Sequence, residues 1–173
     1  KRDGTKDPLD VNKMNFVVEQ ACDGLTGVSA SQIEMNSQIQ FTNNMSSTDI
    51  QDILIRSAND LITLEHPNYQ YAAARLLLWN IYKEVFGQFQ PKPFIEVIKE
   101  NVKRNVYDKA VLDTYTETEL KKLNTWIKHD RDLDFTYAGL RQVVDKYLVQ
   151  DRSNGQVYET PQFMYMMIAA TLF

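Results

Sequence analysis

The chain has 173 residues, 43% of them hydrophobic and 24% charged, with a formal net charge of -4. That is the composition of an ordinary globular protein with room for one ample domain or two small ones. The acidic balance gives no general attraction to nucleic acid, no apolar run reaches membrane-spanning length and no signal peptide is present, so the cytoplasm is the expected setting.

The chain opens KRDGTKDPLDVNKMN. Asp3-Gly4 is a two-residue hairpin signal, because both central positions of a type I′ turn need positive φ. Lys1-Arg2 ends one strand and Thr5-Lys6 begins the return. Asp10 then reads as the N-cap of a helix with Val11, Met14, Val17 and Ala21 at helical spacing. A basic hairpin beside a helix start allows two readings. It is a solvated turn whose lysines meet only water, or a phosphate site built from free N–H groups, the positive end of the helix dipole and nearby ammonium groups.

Helical patterns follow. Ser29 with Gln32 reads as a capping box for a helix carrying Ile33 and Ile39, and Ser46 with Asp49 as another before Ile50, Ile53, Leu54, Ala58, Leu61 and Ile62. After HPN, residues 68–86 read as one long helix that turns off at Gly87. GQFQPKP is the only convincing linker, so the expected division is residues 1–90 and 91–173. Beyond it, Pro93 starts a helix with Phe94, Val97, Ile98 and Val102, and Thr116 with Glu119 caps one bearing Leu120, Leu123, Trp126 and Ile127. A shorter helix over 137–146 leads to a hairpin turn at Asn154-Gly155. Thr160 and Pro161 then open an apolar last helix. That helix shows no stop signal and the chain has no initiator methionine, so an excerpt is expected, with later sequence covering Met164, Met167, Ile168 and Leu172.

Cys22, the single cysteine, sits mid-helix and can form neither an internal disulfide nor a zinc cluster; a buried thiol is expected. His66 and His129, the latter on a polar stretch, have no partners at metal-ligand spacing. No metal site is expected.

The stretches KRDG, ASQIEMNSQIQF, STDIQDILIRSANDLI, PNYQYAAARLLL, KEVFGQF, HDRDLDFTYAG, KYLVQDR and YETPQFMYM, in that order, resemble the large chain of class I ribonucleotide reductase, closest to its bacterial and bacteriophage class Ia type. The resemblance covers essentially the whole chain. It implies a mainly α fold: an ATP-cone of a small β-hairpin and four helices over residues 1–90, then the helical approach to a ten-stranded α/β barrel. It also implies that ATP or dATP, with Mg²⁺, acts as an allosteric effector. The contacts carried over are Lys1 and Arg2 on the hairpin and the segment Asp7, Pro8, Leu9, Asp10, Val11, Asn12 and Lys13. They continue with Ser47, Ile50 and Lys83. Asp7, Asp10, Ser47 and Gln51 depart from the glutamate, asparagine, threonine and histidine usual in close relatives.

No catalytic residue is implied here, since the family's catalytic cysteines have no counterpart in Cys22. The intact parent would reduce ribonucleoside diphosphates using a radical from a separate small subunit, as a homo-oligomer of large chains. It would have no nucleic-acid or membrane partner. Two other readings are weighed. A cone-bearing transcriptional repressor would need a four-cysteine zinc ribbon, which this sequence lacks. A helical interaction module that no longer binds nucleotide is opposed by Lys1, Lys13 and Lys83.

Overall fold

The computed structural model describes residues 8–172. The expected hairpin at Asp3-Gly4, with Lys1, Arg2 and Asp7, lies outside the described residues. Those described form nine α-helices, one 3-10 helix and a two-stranded antiparallel ribbon. By packing they divide into two compact units. The first ends in sequence at Leu78 and adds Phe135–Leu140; the second comprises Trp79–Asp134 and Arg141–Phe173.

In the first unit, α1 (Val11–Cys22), α2 (Ala30–Gln38) and α3 (Ser47–Asn59) pack in sequence order. The buried stripe of α1 is Met14, Val18 and Ala21. Val11 is instead 44% exposed, because the first turn of the helix faces solvent. Cys22 is the last residue of α1 rather than a mid-helix one. The capping box of Ser46 and Asp49 forms as expected, with both reciprocal bonds present. The box at Ser29 does not. Its hydroxyl makes no capping bond, and Tyr69 inserts into the reciprocal half of the box: the Tyr69 hydroxyl accepts from the Ser29 N–H at 3.0 Å and donates to Gln32 Oε1 at 2.5 Å. Ile39 lies just past the end of α2 and is 82% exposed, and Ile62 lies past the end of α3.

Helix α4 (Tyr69–Phe86) places residues 69–78 in the first unit and 79–86 in the second. It is buried on nearly every side, which is why its sequence shows no polar face. Ala72, Ala73 and Ala74 are fully covered, and three small side chains in succession let neighbouring backbones come close. Arg75 Nη1 donates to the carbonyls of Ala21 at 3.2 Å and Asp23 at 2.6 Å. One guanidinium thus serves two acceptors at the end of α1, which has no basic residue of its own there, while the Asp23 and Leu25 N–H groups take the carbonyls of Gln20 and Cys22. Gly87, at φ 73, ends α4 as the sequence indicates.

The second unit holds α5 (Phe94–Lys103), α6 (Ala110–Thr114), α7 (Glu117–Trp126), the 3-10 helix His129–Asp134, β1 (Gln150–Asp151), β2 (Gln156–Val157) and α9 (Pro161–Leu172). Helix α8 (Tyr137–Lys146) enters it at Arg141. The Thr116–Glu119 box and the Asn154-Gly155 turn both form, Gly155 at φ 76. Pro93 opens α5 without a side-chain cap, so Asn124 of α7 takes the Phe94 N–H at 2.8 Å. Leu120 is the buried residue of α7, while Trp126 is 58% exposed. Thr160 precedes α9, but its hydroxyl is buried without a partner and only its carbonyl serves the helix, taking the Met164 N–H. Met164 is 5% exposed, hence already covered within this chain, whereas Ile168 and Leu172 are not.

Two buried carboxyls organise this unit. Glu159 accepts from the Tyr107 hydroxyl at 2.5 Å and the Val149 N–H at 2.9 Å. Asp132 accepts from the Tyr82 hydroxyl at 3.2 Å and from Gln162 Nε2 at 3.0 Å. Burial raises both carboxyls above the ordinary range, Asp132 to about 6. The Val157 N–H on β2 is taken by Glu84 of α4 at 2.7 Å. His129 belongs to the aromatic core rather than to a polar surface: its ring packs edge-on with Tyr82 and Phe163.

Two predictions follow from these contacts. Tyr69→Phe removes both bonds at the start of α2 and should cost about 1–3 kcal/mol. It should be read as faster amide exchange over residues 30–38, and an unchanged exchange rate there would contradict it. The second concerns pH. A carboxyl raised in the folded state stabilises the fold while protonated, so its contribution is complete below the ordinary 3.8 and lost as pH rises through about 6. Asp132→Asn cannot titrate, so between pH 4 and 6 it should gain on wild type by up to about 3 kcal/mol. Denaturant unfolding followed by fluorescence of Trp79 and Trp126, both in the second unit, measures this. A pH-independent difference would overturn it.

Candidate functional site

The head of α1 is built by a local cap. Asp10, at φ -83 and ψ 91, stands outside the helix and its carboxylate accepts the Lys13 N–H at 3.1 Å. That bond holds the Asp10 carboxyl below the usual range. The Lys13 ammonium lies 3.4 Å from the same carboxylate, with its side chain 85% exposed. Pro8, Leu9, Val11 and Asn12 around it are exposed as well. The first turn contains no acidic residue, so among the described residues the cap supplies the carboxylate at this helix start. An exposed helix N-terminus with an ammonium one turn in can hold an anion, by backbone N–H donors and by the dipole.

Ser47 is the first residue of α3, exposed, and Ile50 is half-buried one turn later. Gln51 is not turned to solvent: its Nε2 donates to the Leu76 carbonyl of α4 at 3.0 Å. Lys83 lies in the last turn of α4, its ammonium 4.2 Å from the centre of the Phe89 ring. The structure thus brings Asp10 and Lys13 together at one helix head and sets Ser47 and Ile50 on a second. Lys83 falls among residues of the second unit.

Cys22 is half-buried and burial pushes its thiol up to about 11, so at neutral pH it is a protonated, poor nucleophile. Among the described residues no three His, Cys, Asp or Glu side chains gather as metal ligands. A surface hollow of about 340 Å³ is lined by Gln32, Met35, Asn36, Asp60, Leu61, Thr63, His66 and Tyr69, none of them expected in nucleotide binding. Sequence reasoning missed the bonded set of Tyr82, Asp132 and Gln162. Its only advance sign was that HDRDLDF and YETPQF are the motifs that carry these residues.

Among the described residues no helix is long and apolar enough to cross a membrane. The family profile of the ATP cone domain matches residues 1–84, and that of the ribonucleotide reductase all-alpha domain matches residues 133–173. The chain is 42% identical over all 173 residues to ribonucleoside-diphosphate reductase 1 subunit alpha of Escherichia coli (strain K12), covering 23% of that protein. It is 40% identical over 172 residues to ribonucleoside-diphosphate reductase subunit alpha of Enterobacteria phage T4, 99% of this chain and 23% of the relative. To the subunit alpha of Helicobacter pylori (strain ATCC 700392 / 26695) it is 35% identical over 173 residues, 21% of that protein. It therefore spans about a quarter of the length of the curated relatives it matches. The chain thus carries an ATP cone domain and a match to the ribonucleotide reductase all-alpha domain, and over essentially its whole length it is similar to ribonucleoside-diphosphate reductase alpha subunits.

Proposed function

We propose that this chain is the effector-sensing part of a reductase that converts ribonucleoside diphosphates to deoxyribonucleoside diphosphates for DNA synthesis. Residues 1–90 form the allosteric nucleotide domain and 91–173 the helical region that leads to the catalytic barrel. ATP or dATP is the ligand, held by Lys1, Arg2, Asp7, Pro8, Leu9, Asp10, Val11, Asn12, Lys13, Ser47, Ile50 and Lys83. The observation that carries this reading is the exposed head of α1, where Lys13 stands in the first turn with its ammonium 3.4 Å from the capping Asp10 carboxylate, inside the span matched by the ATP cone family. A triphosphate suits that donor set, because charge-assisted bonds to phosphate oxygens are about twice as strong as neutral ones.

Mg²⁺ accompanies the nucleotide. A hard cation of this kind binds through phosphate oxygens and retained waters more readily than through an all-protein cage. The remaining chemistry belongs to the whole polypeptide: a small radical-generating subunit supplies the radical, large chains associate with one another, and the protein works in the cytoplasm.

Lys13→Ala removes one charge-assisted phosphate contact and should weaken ATP affinity by about tenfold. Calorimetric titration of the full polypeptide measures this, and an unchanged affinity would remove Lys13 from the site. Effector binding should also alter assembly. Light scattering of the full polypeptide with its small subunit should give different masses in ATP and in dATP. Equal masses together with equal activities in the two nucleotides would mean that the cone binds without regulating.

A further inference from the structure

The geometry points to the Asp132 carboxyl as the positioning group that ties the last turn of α4, and with it Lys83, to the first turn of α9, so that effector binding is felt at α9. This rests on the reading of Lys83 as an effector contact, and every residue in it belongs to the second unit.

Asp132 is 1% exposed and sits on the 3-10 helix, which packs against α9. Each of its two oxygens is used by a different helix. Oδ2 accepts from the Tyr82 hydroxyl of α4 at 3.2 Å, and Oδ1 accepts from Gln162 Nε2 of α9 at 3.0 Å. Both donors are neutral side chains, and Asp130 on the same 3-10 helix adds a further negative charge that acts on Tyr82. A buried carboxyl held this way is directional, since its bonds weaken steeply with small displacements.

Tyr82 and Lys83 are neighbours on one helical turn, so the backbone cannot shift at one without moving the other. Glu84, next along, accepts the Val157 N–H at 2.7 Å, so the same turn also holds the β-ribbon.

The joint has room to tighten. The Tyr82 bond, at 3.2 Å, is longer than the roughly 2.5–3.0 Å of an ordinary O–H···O bond, and a small approach of the α4 turn shortens it. Beside it the His129 ring lies between Tyr82 and Phe163, at 6.1 and 5.1 Å between centroids, with Nδ1 buried and unpartnered. Phosphate drawn to Lys83 pulls on the turn that carries Tyr82, and Asp132 passes the displacement to Gln162.

Hydrogen-exchange mass spectrometry of the full polypeptide, with and without Mg-ATP, tests this. In wild type, ATP should slow exchange at the start of α1, the sign of binding, and also by about fivefold over 129–134 and 161–172, an ordinary size for allosteric coupling. Tyr82→Phe and Asp132→Asn should keep the protection at α1 and lose it at α9. Protection at α1 with none at α9 in wild type would overturn the inference and leave the effector reading intact. Full α9 protection retained in Tyr82→Phe would overturn it as well. No change anywhere in wild type would overturn both the effector reading and this inference.

Discussion

The structure depends on one constraint: α4 is apolar around almost its whole circumference and has to be covered on every side. A helix of that kind has no solvent face, so the elements around it are recruited by burial. Burial alone is non-directional and leaves orientation open. Polar groups spaced along α4 fix it. Tyr69 takes the start of α2, Arg75 the end of α1, the Leu76 carbonyl receives Gln51 of α3, Tyr82 holds Asp132 and Glu84 holds the β-ribbon. Each is a bond to a different element, made within one unit or the other.

The proposed effector chemistry uses the same helix economically. Its last turn carries Lys83 with Tyr82 and Glu84 on either side. A regulatory helix need not be flexible to transmit a signal. It has to be stiff, and to have its polar attachments arranged so that a small displacement changes a few specific bonds.

Local features were legible in the sequence and distant competition was not. The boxes at Ser46–Asp49 and Thr116–Glu119 form because both partners lie within one turn and nothing else reaches them. The same signature at Ser29–Gln32 fails because Tyr69, far along the chain, supplies a hydroxyl that serves both groups. His129 was invisible for a related reason. HDRDLD reads as a solvated stretch, yet as a 3-10 helix it turns the imidazole and Asp132 inward while Asp130 and Arg131 face out. At the candidate site, the cap at Asp10 and the exposed ammonium of Lys13 could be read in advance, being local. That Gln51 is tied to the backbone of α4 could not, since it depends on which helix packs beside α3.

The β-ribbon has a consequence for solubility. A two-stranded ribbon normally exposes donors along its outer strand, and an open strand edge is a template for another chain. Here the donors of the second strand are occupied one after another: Gln156 N–H by the Asn154 side chain, Val157 N–H by Glu84 and Tyr158 N–H by the Val149 carbonyl. The carboxylate reaching across from α4 therefore does more than anchor the hairpin. It takes the Val157 N–H and places a negative charge there, so that the second strand of a ribbon too short to be stable alone offers an intruding strand none of these three donors.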